Sequence, residues 1–79
     1  MNRRNDWENL LRYANEDLEK TGYSLLITED TEGGGDYLYS CEVWKDGEKL
    51  GVYAENYYED ELSDLITDAW HHVLTYLAR

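Results

Sequence analysis

Residues 37–55 read YLYSCEVWKDGEKLGVYAE, two runs of alternating side chains that meet at Asp46-Gly47. A two-residue turn between antiparallel strands needs positive φ at both central positions, and Asp-Gly is among the pairs that accept it at least cost. The pattern predicts a hairpin with strands over about 37–45 and 48–55. Its turn sets a register: Lys45 faces Glu48, Val43 faces Leu50, Cys41 faces Val52 and Tyr39 faces Ala54. In that register these apolar residues share the core face, and Cys41 lies among them. The other face carries Leu38, Ser40, Glu42, Trp44, Lys49, Tyr53 and Glu55 and is expected to be open to water.

The flanks complete the architecture. Tyr23 to Glu29 alternates and is rich in strand formers, whereas 30–36, with three consecutive glycines at 33–35, has no periodicity. This predicts another strand and then a flexible loop. Before it, Trp7, Leu10, Leu11, Ala14 and Leu18 recur at helical spacing. A helix over about 6–20 follows, with Asn5 or Asp6 able to cap its start and Gly22 placed to stop it. Its outer side alternates in sign through Glu8, Arg12, Glu16 and Lys20, a pattern of mutual i,i+4 pairing. After the hairpin, Leu62, Leu65, Ile66, Ala69, Val73 and Leu77 form a second helical stripe, with Tyr76 beside it. That helix is expected over about 57–78, with Asn56 and Glu59 as a capping box and Glu59, Asp60 and Glu61 at the positive end of its dipole.

The order helix, strand, strand, strand, helix gives an α+β fold. Its simplest form is a two-layer sandwich of one three-stranded antiparallel sheet with both helices on one face. Double-stranded-RNA-binding domains share this order of elements, but their basic surfaces have no counterpart here.

Composition narrows what such a domain can do. The chain has 79 residues, one domain's worth, with 18 Asp and Glu against seven Lys and Arg, a net charge of −11. Self-repulsion of this size works against a compact state, so the excess points to a partner. Direct nucleic-acid binding needs clustered Lys and Arg, and anionic membranes demand the same, so neither is an expected partner. There is no apolar h-region after Arg3 and Arg4 and no run long enough to span a bilayer. A single cysteine in so small a chain points to a reducing, cytoplasmic setting rather than a secreted one. With 42% hydrophobic residues, eight Tyr and three Trp, the chain has enough apolar surface to fold.

Few residues suggest chemistry. Asp60, Asp64, Thr67, Asp68 and His71 lie opposite the core stripe of the second helix. The three aspartates form a like-charge ladder in which each i,i+4 pair costs about 0.2–0.5 kcal/mol. The helix dipole offsets this at Asp60 but not at Asp68. Successive rungs are about 6 Å apart along the axis, near twice the roughly 3.4 Å rise per nucleotide, a spacing that can imitate phosphates. The same ladder could simply be a solvated face that aids solubility.

Asp30, Glu32 and Asp36 in the glycine loop lack the remaining ligands of an EF-hand, with Cys41 where its bidentate Glu would stand. His71 and His72, about 100° apart on a helix, cannot share one ion as an i,i+4 pair can. Cys41 on a core face in an acidic chain reads as a small hydrophobe rather than a nucleophile. No catalytic constellation stands out, and neither enzymatic activity nor a cofactor is expected. Trp44 and Tyr53, with Leu26 and Leu38 beside them and Glu42 and Glu55 around them, read as interface anchors, as a protected sheet face, or as a dimer contact.

In size, acidity, single cysteine and element order the chain resembles the small phage-borne inhibitors of bacterial defence, among them anti-CRISPR proteins. Several of those look like DNA to their targets. The resemblance implies an inhibitor that blocks the nucleic-acid-binding groove of a basic partner. Asp60, Glu61, Asp64 and Asp68, with Asp30, Glu32 and Asp36, would then form the contact surface. The alternative is a protein–protein module, either an immunity protein against a basic nuclease toxin or an adaptor subunit, that uses Trp44 and Tyr53. Either function is compatible with a monomer or a homodimer.

Overall fold

At the predicted hairpin turn Asp46 and Gly47 have φ of 51° and 85°, the left-handed pair that a tight turn of this kind needs. The structure, a computed structural model, describes residues 6–30 and 38–78. Helix α1 (Asp6–Leu18) ends in a 3₁₀ turn (Glu19–Thr21), then come β1 (Tyr23–Asp30), β2 (Leu38–Lys45) and β3 (Glu48–Tyr57). A second 3₁₀ turn (Glu59–Glu61) leads into α2 (Leu62–His72), whose last residues, Val73–Leu77, wind as a π turn. The strands form one antiparallel sheet in the order β1-β2-β3.

Both helices lie on the Cys41 side of the sheet. Ala14 and Leu18 of α1 and Leu62, Leu65, Ile66, Ala69 and Val73 of the second helical segment are buried against Tyr23, Leu25, Tyr39, Cys41 and Val43. The expected stripes therefore form the core, with two departures. Trp7, Leu10 and Leu11 are only partly buried. Leu77 is exposed, because the wider π turn rotates it off the α-helical stripe.

The hairpin register departs from expectation beyond the turn. Lys45 pairs with Glu48 and Trp44 with Lys49, but Val43 then meets Gly51, Glu42 meets Val52, Cys41 meets Ala54 and Tyr39 meets Tyr57. Seven residues of β2, Tyr39 to Lys45, are matched against ten of β3, Glu48 to Tyr57, and the ladder shifts at three places. At the first shift Leu50 is extra and the alternation inverts. At the second Tyr53 is extra and the alternation is restored. Leu50 and Val52, expected in the core, are exposed, and Tyr53, expected on the open face, packs on the helix side. The third shift falls at Asn56, which has φ of 67°. Asn56 absorbs the extra residue in a conformation that asparagine tolerates well, so it is not the expected helix cap. Tyr58 takes that place: its N–H donates to the Glu61 carboxylate at 3.0 Å, and the Glu61 N–H donates back to the Tyr58 carbonyl at 2.9 Å.

Three side-chain devices join the elements. β1 is an edge strand, and the Asn15 side chain of α1 completes it as a further strand would. Asn15 Nδ2 donates to the Leu25 carbonyl at 3.0 Å, and the Leu25 N–H donates to Asn15 Oδ1 at 2.7 Å. Trp70 Nε1 donates to Asp17 Oδ2 at 2.9 Å and ties α2 to α1. The Tyr23 hydroxyl donates to the Leu77 carbonyl at 3.2 Å, holding the end of the π turn over β1. Gly22, with φ of 85°, ends the first helical segment as expected, and its carbonyl accepts from the Asp46 N–H at 2.9 Å. A Cβ at Gly22 would stand 2.6 Å from Asp46 Oδ1.

Two variants test this frame by urea unfolding. Asn15→Ala loses two partly buried hydrogen bonds at about 1 kcal/mol each and should destabilise the protein by about 2 kcal/mol. Gly22→Ala combines left-handed strain with the contact on Asp46 and should cost at least about 1 kcal/mol. Part of that loss should return when Asp46 is also changed to Gly. If either single variant is as stable as the parent, the corresponding junction is misassigned.

Candidate functional site

The acidic residues predicted on the second helix do lie on its outer surface, though not in one uniform column. Asp64 and Asp68 are exposed in α2, whereas Asp60 and Glu61 are exposed in the preceding 3₁₀ turn. With three residues per turn instead of 3.6, Asp60 is shifted out of strict register with the other two. Glu61 has a structural task as well, since its carboxylate caps Tyr58. Thr67, between the rungs, donates to its own helix at the Ser63 carbonyl, 2.8 Å away. Glu32 and Asp36, and the side chain of Asp30, lie outside the described residues.

Among the described residues the ion pairs are Lys20–Asp17 at 3.8 Å and Lys49–Glu42 at 3.1 Å. Neither involves the ladder. The alternating charges expected on α1 do not pair in sequence either: Lys20 reaches Asp17, and the Arg12 guanidinium lies 5.5 Å from the centre of the Tyr13 ring. An exposed pair of this kind adds little stability.

The open sheet face is different in character. Glu42 sits between Leu26 on β1 and Val52 on β3. Trp44 Nε1 donates to Glu42 Oε1 at 3.0 Å, and Lys49 Nζ lies 3.1 Å from the other carboxylate oxygen. The indole hydrogen bond first, and then Lys49, hold the Glu42 carboxyl below its usual pKa. At the centre of the face the Glu42 charge is thus balanced by Lys49 and both its oxygens are engaged, and Leu26 and Val52 are exposed on either side.

Trp44 and Tyr53 do not belong to one patch. The first shift of β3 sends Tyr53 to the helix layer, where its ring centroid is 5.1 Å from that of His72, and His72 is 5.2 Å from Tyr76. Burial, and then the negative charge of Asp68, raise the Tyr53 phenol above its ordinary pKa. His72 and Tyr76 were not singled out from the sequence as a site. Their i,i+4 spacing was visible, but the partner ring on β3 depends on the bulge.

Cys41 is fully buried, and desolvation, with a smaller contribution from the neighbouring Glu42 charge, pushes its thiol up to about 12. A thiol so placed is protonated at neutral pH and cannot act as a nucleophile. Among the described residues no three His, Cys, Asp or Glu side chains gather as a metal site, and no helix is long and apolar enough to cross a membrane.

Comparison with known proteins returns no matching family model, no matching curated protein and no matching solved structure.

The buried thiol gives a pH signature. Its pKa is raised in the folded state, so unfolding releases a proton above the ordinary thiol value of 9.0, and stability falls as pH climbs from there towards about 12. Urea unfolding at stepped pH should show this decline, with a shallower slope in Cys41→Ala. A thiol reagent should label Cys41 only on unfolding. Rapid labelling of the native protein would contradict its burial.

Proposed function

We propose that this protein is a small acidic inhibitor that occupies the nucleic-acid-binding groove of a basic partner, as DNA-mimicking anti-defence proteins of the anti-CRISPR kind do. The observation that carries the reading is the exposed acidic side of the second helical segment. Asp60, Glu61, Asp64 and Asp68 have no Lys or Arg pairing with them among the described residues. Like charges one turn apart cost stability, and at Asp68 neither the helix dipole nor an ion pair among the described residues offsets them. Their spacing suits a surface built to meet phosphate-binding side chains. A net charge of −11 would also speed encounter with a basic target through long-range attraction.

A second reading is favoured by the Trp44 face. Its polar groups are already paired with one another, so an apolar partner surface could cover it without stranding a buried donor or acceptor. On this reading the chain is an adaptor, or an antidote to a basic nuclease, and binds through Trp44, Leu26 and Val52.

Salt and two substitutions separate the readings. A pull-down from bacterial lysate containing a defence system, washed at low and then high salt, should recover a DNA-binding protein that high salt releases and duplex DNA displaces. The Asp64→Asn/Asp68→Asn variant should lose that partner while its melting temperature holds or rises. Salt-resistant capture that survives this variant and fails with Trp44→Ala would overturn the mimic in favour of the sheet face.

A further inference from the structure

Asp68 differs from the other exposed acids in its surroundings. One turn further along α2 stands His72, then Tyr76 in the π turn, and β3 brings Tyr53 against them, so that three rings run in contact from strand to helix end. A recess of about 290 Å³ opens beside them, lined by Tyr53, Asp68, His71, His72, Thr75 and Tyr76. Its lining contains one carboxylate, two tyrosine rings and two imidazoles. Tyr76 is 63% exposed, a large ring left uncovered. Next to it, sharing Tyr53 and His72 as a common wall, lies a second recess whose lining includes the apolar side chains of Leu50 and Leu77.

An anion is disfavoured here by the carboxylate and by the negative faces of the two tyrosine rings. A cation is attracted by both. Among biological cations the guanidinium group is flat, weakly hydrated and able to stack on an aromatic ring while donating two parallel hydrogen bonds to a carboxylate. The ammonium of lysine is a compact and strongly hydrated point charge. An arginine also carries an aliphatic stem that can lie along the neighbouring apolar recess.

We infer that the recess between Asp68 and the Tyr53–His72–Tyr76 rings is a receptor for a single arginine side chain of the partner, its guanidinium paired with Asp68 and stacked on Tyr76. This rests on the reading of the partner as basic and adds to it a fixed point of register. The other acids would supply diffuse attraction, and this site would hold one residue in place. It also gives the first shift of β3 a functional consequence, since without that shift Tyr53 would face the opposite side of the sheet.

The test uses N-acetyl-arginine methylamide, which carries one positive charge, titrated into the full chain and followed by NMR. Ring resonances of Tyr53, His72 and Tyr76 should move together and saturate, and the matching lysine derivative should bind more weakly. Tyr76→Leu should weaken arginine binding by roughly twofold to fivefold, the range expected for an exposed cation–π contact. Asp68→Asn should weaken it at least as much, and Asp64→Asn should not. Shifts spread evenly over all the acids, or equal responses to arginine and lysine, would overturn the site. Because the probe is free of any partner, arginine binding here would survive a failure to find a DNA-binding target, and the two proposals can fail separately.

Discussion

Two fixed ends and a mismatch in length govern this structure. The Asp46-Gly47 turn pins Lys45 to Glu48, and ten residues later β3 must end where Tyr57 pairs with Tyr39 and the chain can climb into the helix layer. β2 spans that distance in seven residues, Lys45 back to Tyr39. The surplus comes out as shifts in the ladder, and because side chains in a strand alternate with period two, each single-residue shift decides which side of the sheet the next residues occupy. The first turns Leu50 and Val52 outward. The same shift puts Tyr53 on the core side, from which its contacts with α2 follow, and the second adds Ala54 beside it opposite Cys41.

The consequence is a molecule with two unlike exteriors. One is the helix layer, where exposed carboxylates stand without compensating cations among the described residues and an aromatic cluster sits beside one of them. The other is the open sheet face, where Glu42, Lys49 and Trp44 neutralise one another between exposed aliphatic side chains. Charge segregation of this kind lets the acidic surface act at long range without exposing the sheet face to the same repulsion. The layers are held together by the buried core and by two side-chain ties, the Asn15 amide on the edge of β1 and the Tyr23 hydroxyl on the end of the π turn, while the indole of Trp70 on Asp17 joins the two helices. In a domain of this size such bonds are a sizeable share of the net stability.

The sequence made the architecture legible wherever local chemistry decides it. Both helical stripes, the three strands, the turn at Asp46 and the stop at Gly22 rest on periodicity or on backbone geometry that only certain residues accept, and the structure has all of them. The misplaced features come from non-local balance. Strict alternation through 48–55 put Leu50 and Val52 in the core, although Gly51 inside a strand pattern is itself a signal of a bulge. Asn56 resembled a helix cap because asparagine serves both caps and left-handed bulge positions, and nothing nearby distinguishes the two uses. The acids of the candidate surface were legible as exposed positions opposite the core stripe. The ring cluster beside Asp68 was not, because it joins residues from β3 and α2 whose meeting depends on where the ladder shifts.

The most direct test of this account is a nuclear Overhauser spectrum of the native protein that assigns the neighbours of the Tyr53 ring. Strong contacts from Tyr53 to His72, with none to Trp44 or Leu26, are the predicted result and would place the first shift of β3 where the structure has it. Contacts from Tyr53 to Trp44 instead would mean an unbroken hairpin register. The aromatic residues would then lie together on the open face, and both the separation of the two exteriors and the ring cluster beside Asp68 would be lost.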